Sequence, residues 1–268
     1  MKKLNPVMID GFPAYAPALA QSNDGFDAES HSMLYALESK NFWFKSRNRL
    51  IQWTLKKHFK TDCKFLEIGC GTGFVLNGLK TKYPNLDCSG SEIYISGLKL
   101  ARERLTDVTL YQMDARNIPF DNEYDVIGAF DVIEHIEDDQ EVLLQMYKAI
   151  KPGGGIILTV PQHPFLWGPA DEYAFHKRRY TRKELTSKVK KAGFQIQRIT
   201  SFVTILSPLM MISRLLDRGN SSYKPDNELR INFVLNKIFE IVQYVEMFFI
   251  KLGISFPFGG SLLIVAKK

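Results

Sequence analysis

The chain has 268 residues, 45% of them hydrophobic, and a formal net charge of +6, ample for a packed core in one large α/β domain or two small ones. Cys63, Cys70 and Cys88 are odd in number and lack metal-ligand spacing, which speaks against a disulfide framework and a zinc site and for a reducing, cytoplasmic setting. Apolar stretches near 202–216 and 231–252 are interrupted by Pro208 and Arg214, or by Lys237, Glu240, Gln243 and Glu246, so they read as amphipathic rather than membrane-spanning.

Residues 1 to about 26 are rich in Pro, Gly, Asn and Asp without periodicity and predict an extended or mobile arm, and Met1-Lys2-Lys3 leads into no apolar run of the kind an export signal requires. From Asp27 to Phe59 the pattern is helical, a cap ahead of the first strand. Strand signals at 64–68, 87–92, 108–112, 124–130 and 156–160 then alternate with helix signals at 74–83, 96–105 and 139–150, which predicts a parallel sheet with helices on both faces. Another helix at 182–192, a strand at 194–202 and a final strand at 261–266 follow. The stretch 203–258, about 55 residues, is too long for a structureless loop and carries helical periodicity, so it reads as a helical lid. The expected organisation is one domain over 1–268: arm and cap (1–60), ligand-binding core (61–202), lid insert (203–258) and final strand (259–268).

The segment Phe65-Leu66-Glu67-Ile68-Gly69-Cys70-Gly71-Thr72-Gly73 is a buried strand running into a glycine turn at the N-terminus of the next helix, where backbone can approach a nucleotide closely. A dinucleotide turn requires G-x-G-x-x-G, and its third place is Phe74 counted from Gly69 or Leu76 counted from Gly71, so that fingerprint fails in both registers. Glu67, inside the strand, can organise the loop or receive a cationic ammonium group. Glu92 ends the second strand about 20 residues on and can accept both hydroxyls of a ribose. Asp114-Ala115 follows the third strand; Asp114 either bonds an adenine amino group, with the Ala115 backbone N–H on a ring nitrogen, or caps the short turn before Pro119.

Asp125 to Ile136, ending D-V-I-E-H-I, forms the fourth strand and its exit, and Lys151-Pro152-Gly153-Gly154-Gly155 is the turn before the fifth. In this order, from Phe65 to Val160, these motifs resemble those of class I S-adenosylmethionine-dependent methyltransferases of the small-molecule type, with Ile150 where that family has leucine. The resemblance implies a Rossmann-like, doubly wound, mostly parallel seven-stranded sheet, with S-adenosylmethionine as cofactor and S-adenosylhomocysteine as product. It implies that Glu67, Gly69, Cys70, Gly71 and Gly73 hold the cofactor's amino-acid portion and that Glu92 and Ile93 hold its ribose and adenine. Asp114 and Ala115 would read the adenine edge, Asp131 and Val132 would line the methionine end, and Glu134 and His135 would face the acceptor.

Phe42-Trp43-Phe44 with Arg47, the run from Val160 to Trp167, Asp171, and His176-Lys177-Arg178-Arg179-Tyr180-Thr181 resemble the F-W-F-x-x-R, V-P-x-H-x-x-L-W, D and H-x-R-R-Y-T segments of one branch of these enzymes, often linked to glycan, lipid or natural-product pathways. On that resemblance Arg47 pairs with the cofactor carboxylate, and Trp167, Asp171, Arg179 and Tyr180 join Glu134 and His135 as acceptor contacts, although Trp43 and Trp167 also read as packing aromatics. His135, His163 and His176 are candidate catalytic histidines, since a histidine can take a proton from a hydroxyl acceptor. Methyl transfer from a sulfonium can also run on proximity and orientation without a base. No metal site is read.

These expectations point to methyl transfer onto a small-molecule, glycan or lipid-linked acceptor. Two other readings stand. A nucleic-acid methyltransferase is favoured by the net charge and by the run from Lys177 to Lys191, in which Lys177, Arg178, Arg179, Arg182, Lys183, Lys188, Lys190 and Lys191 face Glu184 alone; against it, Asp131-Val132-Ile133-Glu134 stands where base-amino methylating enzymes commonly carry an N/D-P-P-Y-like tetrad. That basic run can also be a solvated helix face or meet an anionic surface. The third reading is a catalytically silent cofactor-binding protein that uses its lid and basic helix for a membrane or protein partner; the insert, with Phe248 and Phe249 near Lys251, either rests on anionic lipid or, more simply, packs over the active site.

Overall fold

A computed structural model describes residues 5–20, 28–216 and 231–268. The rest of the expected arm (1–4 and 21–27) and the middle of the expected insert (217–230) lie outside the described residues. The core is one sheet in which β3 (Lys64–Ile68), β4 (Asp87–Glu92), β5 (Thr109–Gln112), β6 (Tyr124–Phe130) and β7 (Ile150–Pro161) run parallel. β9 (Ser261–Lys267) slots antiparallel between β7 and β8 (Gln195–Phe202). Leu262 to Ala266 are fully buried, as a central strand covered on both faces requires, whereas β8 is partly exposed at the sheet edge.

The seven expected strands form a continuous block, and the sheet has two more. β1 (Val7–Ile9) and β2 (Phe12–Ala14) make an antiparallel hairpin whose second strand pairs with β5, giving the order β1-β2-β5-β4-β3-β6-β7-β9-β8. The arm is therefore partly ordered. Its anchor is Phe12, which is buried under the Arg102 guanidinium 3.5 Å from the ring centroid.

Alternate residues of the central strands feed two cores, as the period of two demands. Leu66, Ile127 and Leu158 pack against Val142, Leu143 and Met146 of α5 (Asp139–Ala149) and Leu185 and Val189 of α7 (Arg182–Lys191), with the short α6 (Pro169–Tyr173) in the loop between β7 and α7. Phe65, Val126 and Ile157 pack on the opposite face against α2 (Phe42–His58), α3 (Phe74–Lys82) and α4 (Ile95–Arg104). The expected single cap helix is two, α1 (Ala28–Leu37) and α2, because Asn41 breaks the run and caps α2, its Oδ1 accepting the Trp43 backbone N–H at 2.8 Å. β7 begins earlier than expected, and Gly155 lies where a Cβ would sit 2.2 Å from the Ala266 carbonyl oxygen, so glycine permits the approach of β9.

Within the insert, α8 (Ser207–Leu216) and α9 (Phe233–Lys251) follow β8. Glu246 ties α9 to the turn between β8 and α8, its Oε2 accepting the Thr204 and Ile205 backbone N–H groups at 2.7 and 2.9 Å. Among the described residues no helix is long and apolar enough to cross a membrane.

Candidate active site

From β3 the chain moves outward through β4 and β5, then returns to β6 on the other side of β3. Ligands of open α/β sheets bind outside the carboxyl ends of the strands at such a reversal. A cavity of about 1000 Å³ lies there, lined by the turn after β3, the ends of β4, β5 and β6, parts of α1 and α2, and α8.

At one end the glycine turn is shaped for a ligand. Gly69 and Gly71 have φ of 65° and 50°, a region costly for residues bearing a Cβ. A Cβ on Gly69 would lie 2.5 Å from Val132 Cγ2, whereas one on Gly71 would meet nothing within 4 Å. Gly71 thus leaves cavity space open. Cys70 lines the cavity as well, but Gly73 does not; it packs against Ala101 of α4 and Leu105 just after it, a structural place instead of the expected cofactor contact.

Glu92 clamps this turn. Its Oε2 accepts the Gly71 N–H at 3.0 Å and its Oε1 accepts the Ile93 and Tyr94 N–H groups at 2.8 and 3.3 Å, so the carboxylate is fixed at the cavity wall. Glu67 is buried at the N-terminus of α3 and bonded by the Leu76 backbone N–H, while its Oε2 has no partner. Burial pushes its carboxyl well above the usual range, with the nearby Arg47 opposing the shift. Asp114 and Ala115 line the wall; Asp114 also accepts the Arg116 backbone N–H at 2.9 Å and a fork from its guanidinium. Asp114 thus caps its turn and also lines the cavity wall.

Arg47 does not stand alone. Its Nη1 pairs with Asp131 Oδ2, the guanidinium lies 4.5 Å from the Trp43 ring centroid, and its buried Nε has no partner. Asp131 has φ of 57° and also accepts a hydrogen bond from Thr159 Oγ1. Trp43 thereby lines the cavity as well as packing.

At the other end, Glu134, His135 and His176 converge, with candidate ligating atoms all within 4.8 Å of one another. Glu134 is fully buried, and neither carboxylate oxygen has a partner beyond its own backbone N–H. Burial, with the Asp131 charge beside it, raises its carboxyl well above the usual range. Burial and the neighbouring His176 push the His135 imidazole down to about 3, so it is a neutral ring and a weak proton acceptor. His176 Nδ1 lies 2.8 Å from Asp171 Oδ1, which also accepts from Arg179 Nε at 2.8 Å.

Of the remaining candidates only Arg179 lines the cavity. His163 is off the cavity, with φ of 66° and its ring stacked on Phe258 at 4.3 Å, so the geometry gives it no catalytic position. Trp167, Asp171 and Tyr180 do not line the cavity either. Asp171 is buried behind His176 and Arg179, and Tyr180 donates to Asp139 Oδ2 at 2.6 Å beneath the loop. Arg179 lines the cavity while tied to Asp171.

Much of the basic run is used inside the fold. Arg178 binds Asp139 and the Ile136 and Glu137 carbonyls, Arg182 binds the Ile199 and Phe256 carbonyls, and Lys188 pairs with Asp139 at 2.7 Å. The sequence reading missed His31, Tyr94, Glu38 and Thr72 on the cavity wall. Glu38 accepts from Thr72 Oγ1 and Arg104 Nη1, both at 2.6 Å, and so links α1 to the glycine turn. An acid just past a helical run followed by an arginine on α4 gave no pattern to find.

A family model described as "Methyltransferase domain" matches residues 35–199. The chain belongs to this family. Its sheet order and ordered motifs are those of the class I S-adenosylmethionine-dependent methyltransferases. Among curated relatives, a ubiquinone biosynthesis O-methyltransferase of Rickettsia bellii is 32% identical over 110 residues, covering 39% of this chain and 45% of the relative. A demethylmenaquinone methyltransferase of Thermotoga maritima is 29% identical, covering 49% and 56%. The chain thus spans about half the length of these relatives. A phosphoethanolamine N-methyltransferase 2 of Haemonchus contortus, solved with S-adenosylmethionine, has the same fold at a TM-score of 0.59 and 18% identity, covering 92% of this chain and 58% of that one.

Proposed function

We propose that this chain transfers a methyl group from S-adenosylmethionine to a small-molecule acceptor, as a cytoplasmic enzyme. The observation that carries the reading is one continuous cavity. It joins a fixed carboxylate and an open glycine, Glu92 and Gly71, to the cluster of Glu134, His135 and His176. Glu92 suits the ribose hydroxyls and Asp114 with Ala115 the adenine edge. The unpartnered Glu67 Oε2 suits the ammonium of the amino-acid portion and the unpartnered Arg47 Nε its carboxylate. Held in this way, the donor would present its sulfonium methyl toward Glu134 and His135, which line the same cavity. A lone pair of the acceptor attacks the methyl carbon, the carbon–sulfur bond breaks toward sulfur, and neutral S-adenosylhomocysteine remains. Holding both partners in line in a buried site supplies much of the rate. Calorimetry with S-adenosylhomocysteine tests the donor: wild type binds, and Glu92→Ala weakens binding at least about tenfold through the lost ribose contacts. No binding by wild type, or undiminished binding by the variant, contradicts the assignment.

The acceptor is lipid-linked and met at an anionic bilayer surface; the inside-out character of α9 supports this. Val234, Ile238, Ile241, Val245, Phe248 and Leu252, spaced four, three, four, three and four, are exposed, while Glu240, Gln243 and Glu246 are buried against the protein. Ile241 is 62% and Phe248 57% exposed. The exposed charges of α9 are Lys237 and Lys251, and neighbouring α8 adds exposed Leu209 and Ile212 while its Met210 and Ser213 line the cavity. A helix with an apolar face and a cationic rim lies in the plane of a bilayer interface, and Leu209 of α8 is both exposed and on the cavity wall. Flotation with phosphatidylglycerol-containing vesicles is expected to carry wild type upward and leave Ile241→Glu/Phe248→Glu behind. Equal non-binding removes the bilayer reading and leaves the donor assignment intact.

A further inference from the structure

We infer that Glu134, His135 and His176 form a site for a divalent transition-metal ion at the acceptor end of the cavity. All three line the cavity, and one oxygen and two ring nitrogens are grouped within 4.8 Å. Two imidazoles and one carboxylate are the donor set of open zinc and related sites, in which the remaining position takes water or substrate.

The surroundings favour a cation at this point over a chance cluster. Metal-binding histidines are held by a hydrogen bond at the other ring nitrogen, to a carboxylate or a backbone carbonyl. Both patterns are present. His176 Nδ1 is held by Asp171 Oδ1 at 2.8 Å, leaving Nε2 for a metal, and the His135 ring bonds to the Ala174 backbone carbonyl. Asp171 is itself fixed by Arg179 and by the Gly168 N–H at 3.0 Å. The charges lead to the same ion. Arg47 is paired with Asp131 and Arg179 with Asp171, so both act on the fully buried Glu134 carboxyl from a distance while neither of its oxygens has a side-chain partner in contact. A buried carboxylate of this kind needs a partner.

This inference rests on the methyl-transfer reading for its role and names the acceptor class as a hydroxyl, phenolic or enolic. Bound at the open position, the hydroxyl loses its proton to solvent more readily, because the metal stabilises the oxyanion. That oxygen then forms the new bond to the methyl carbon, and the bonding pair of the carbon–sulfur bond stays on sulfur. No strongly basic side chain is required.

The test is cobalt(II) titration of the untagged full chain after chelator treatment, followed by visible absorption, with zinc(II) competition and parallel calorimetry with S-adenosylhomocysteine. One equivalent of cobalt with a d–d band is expected in wild type. Glu134→Gln and His176→Ala should abolish stoichiometric uptake, and Asp171→Asn should weaken it about 10- to 100-fold. Circular dichroism and retained S-adenosylhomocysteine binding show that Glu134→Gln is folded. Wild type that binds S-adenosylhomocysteine but takes up neither metal overturns the metal site while the donor assignment stands. Equal uptake by wild type and Glu134→Gln overturns it as well.

Discussion

At the scale of single residues, two glycines two positions apart do different work. Gly69 faces Val132 and Gly71 faces open cavity, although both have positive φ. Each loses about 1–2 kcal/mol on gaining a Cβ at that φ, but Gly69→Ala adds a clash inside packed structure. Gly69→Ala is therefore expected to lower the thermal midpoint more than Gly71→Ala, and Gly71→Ala to lose more S-adenosylhomocysteine affinity per degree lost. Thermal melts and calorimetry on the two variants check this, and equal ratios of lost affinity to lost midpoint count against a ligand facing Gly71. His135 shows how burial redirects a residue whose type alone suggests a base: its imidazole is held neutral, which suits acceptance of a metal or hydrogen bond better than of a proton.

At the scale of elements, α9 docks on α2 through polar groups. Glu240 accepts Arg49 at 2.9 Å and pairs with Lys45 at 2.7 Å and Lys237 at 3.3 Å. Against the cost of burial, Lys45, Arg49 and Lys237 hold its carboxyl down at about 2, from an ordinary 4.5. A depressed carboxyl stabilises the fold above its unfolded pKa and loses that contribution as pH falls through its folded pKa. Glu240→Gln is thus expected to cost about 1–3 kcal/mol at pH 7, and the gap from wild type to narrow as pH falls from about 4.5 toward about 2. Urea unfolding across that range measures it, and a gap independent of pH refutes the ion cluster. β3, β6, β7 and β9 were legible as apolar runs, and the more polar β4, β5 and β8 through their place in the alternation of strand and helix signals. The β1–β2 hairpin was not: three-residue strands with Pro13 in one of them carry no alternation to detect. The inside-out face of α9 was half legible, since the period showed an amphipathic helix but not which face turned outward. Glu67, Glu92, Asp114 and Asp131 were legible as acids at strand ends or inside the motif, all on the cavity. The loop from His163 to Tyr180 was read residue by residue, yet folding sends His163 and Trp167 away and brings His176 to His135, a pairing set by tertiary contact.

For the whole molecule, the distribution of charge matters more than its sum. The net charge of +6 suggests a polyanion partner, yet Arg178, Arg179, Arg182 and Lys188 are taken up inside the fold by Asp139, Asp171 and the Phe256 carbonyl. What faces outward near the cavity is instead the apolar face of α8 and α9. On the proposed reading the sheet supplies the donor end of the cavity, and the loop between β7 and α7 together with the insert builds the acceptor end. A crystal structure of the chain with S-adenosylhomocysteine tests this division most directly. The expected result has both ribose hydroxyls on the Glu92 carboxylate, the adenine beside Asp114 and Ala115, and the sulfur facing Glu134 and His135. Ligand bound outside this cavity, or with the ribose away from Glu92, would contradict it.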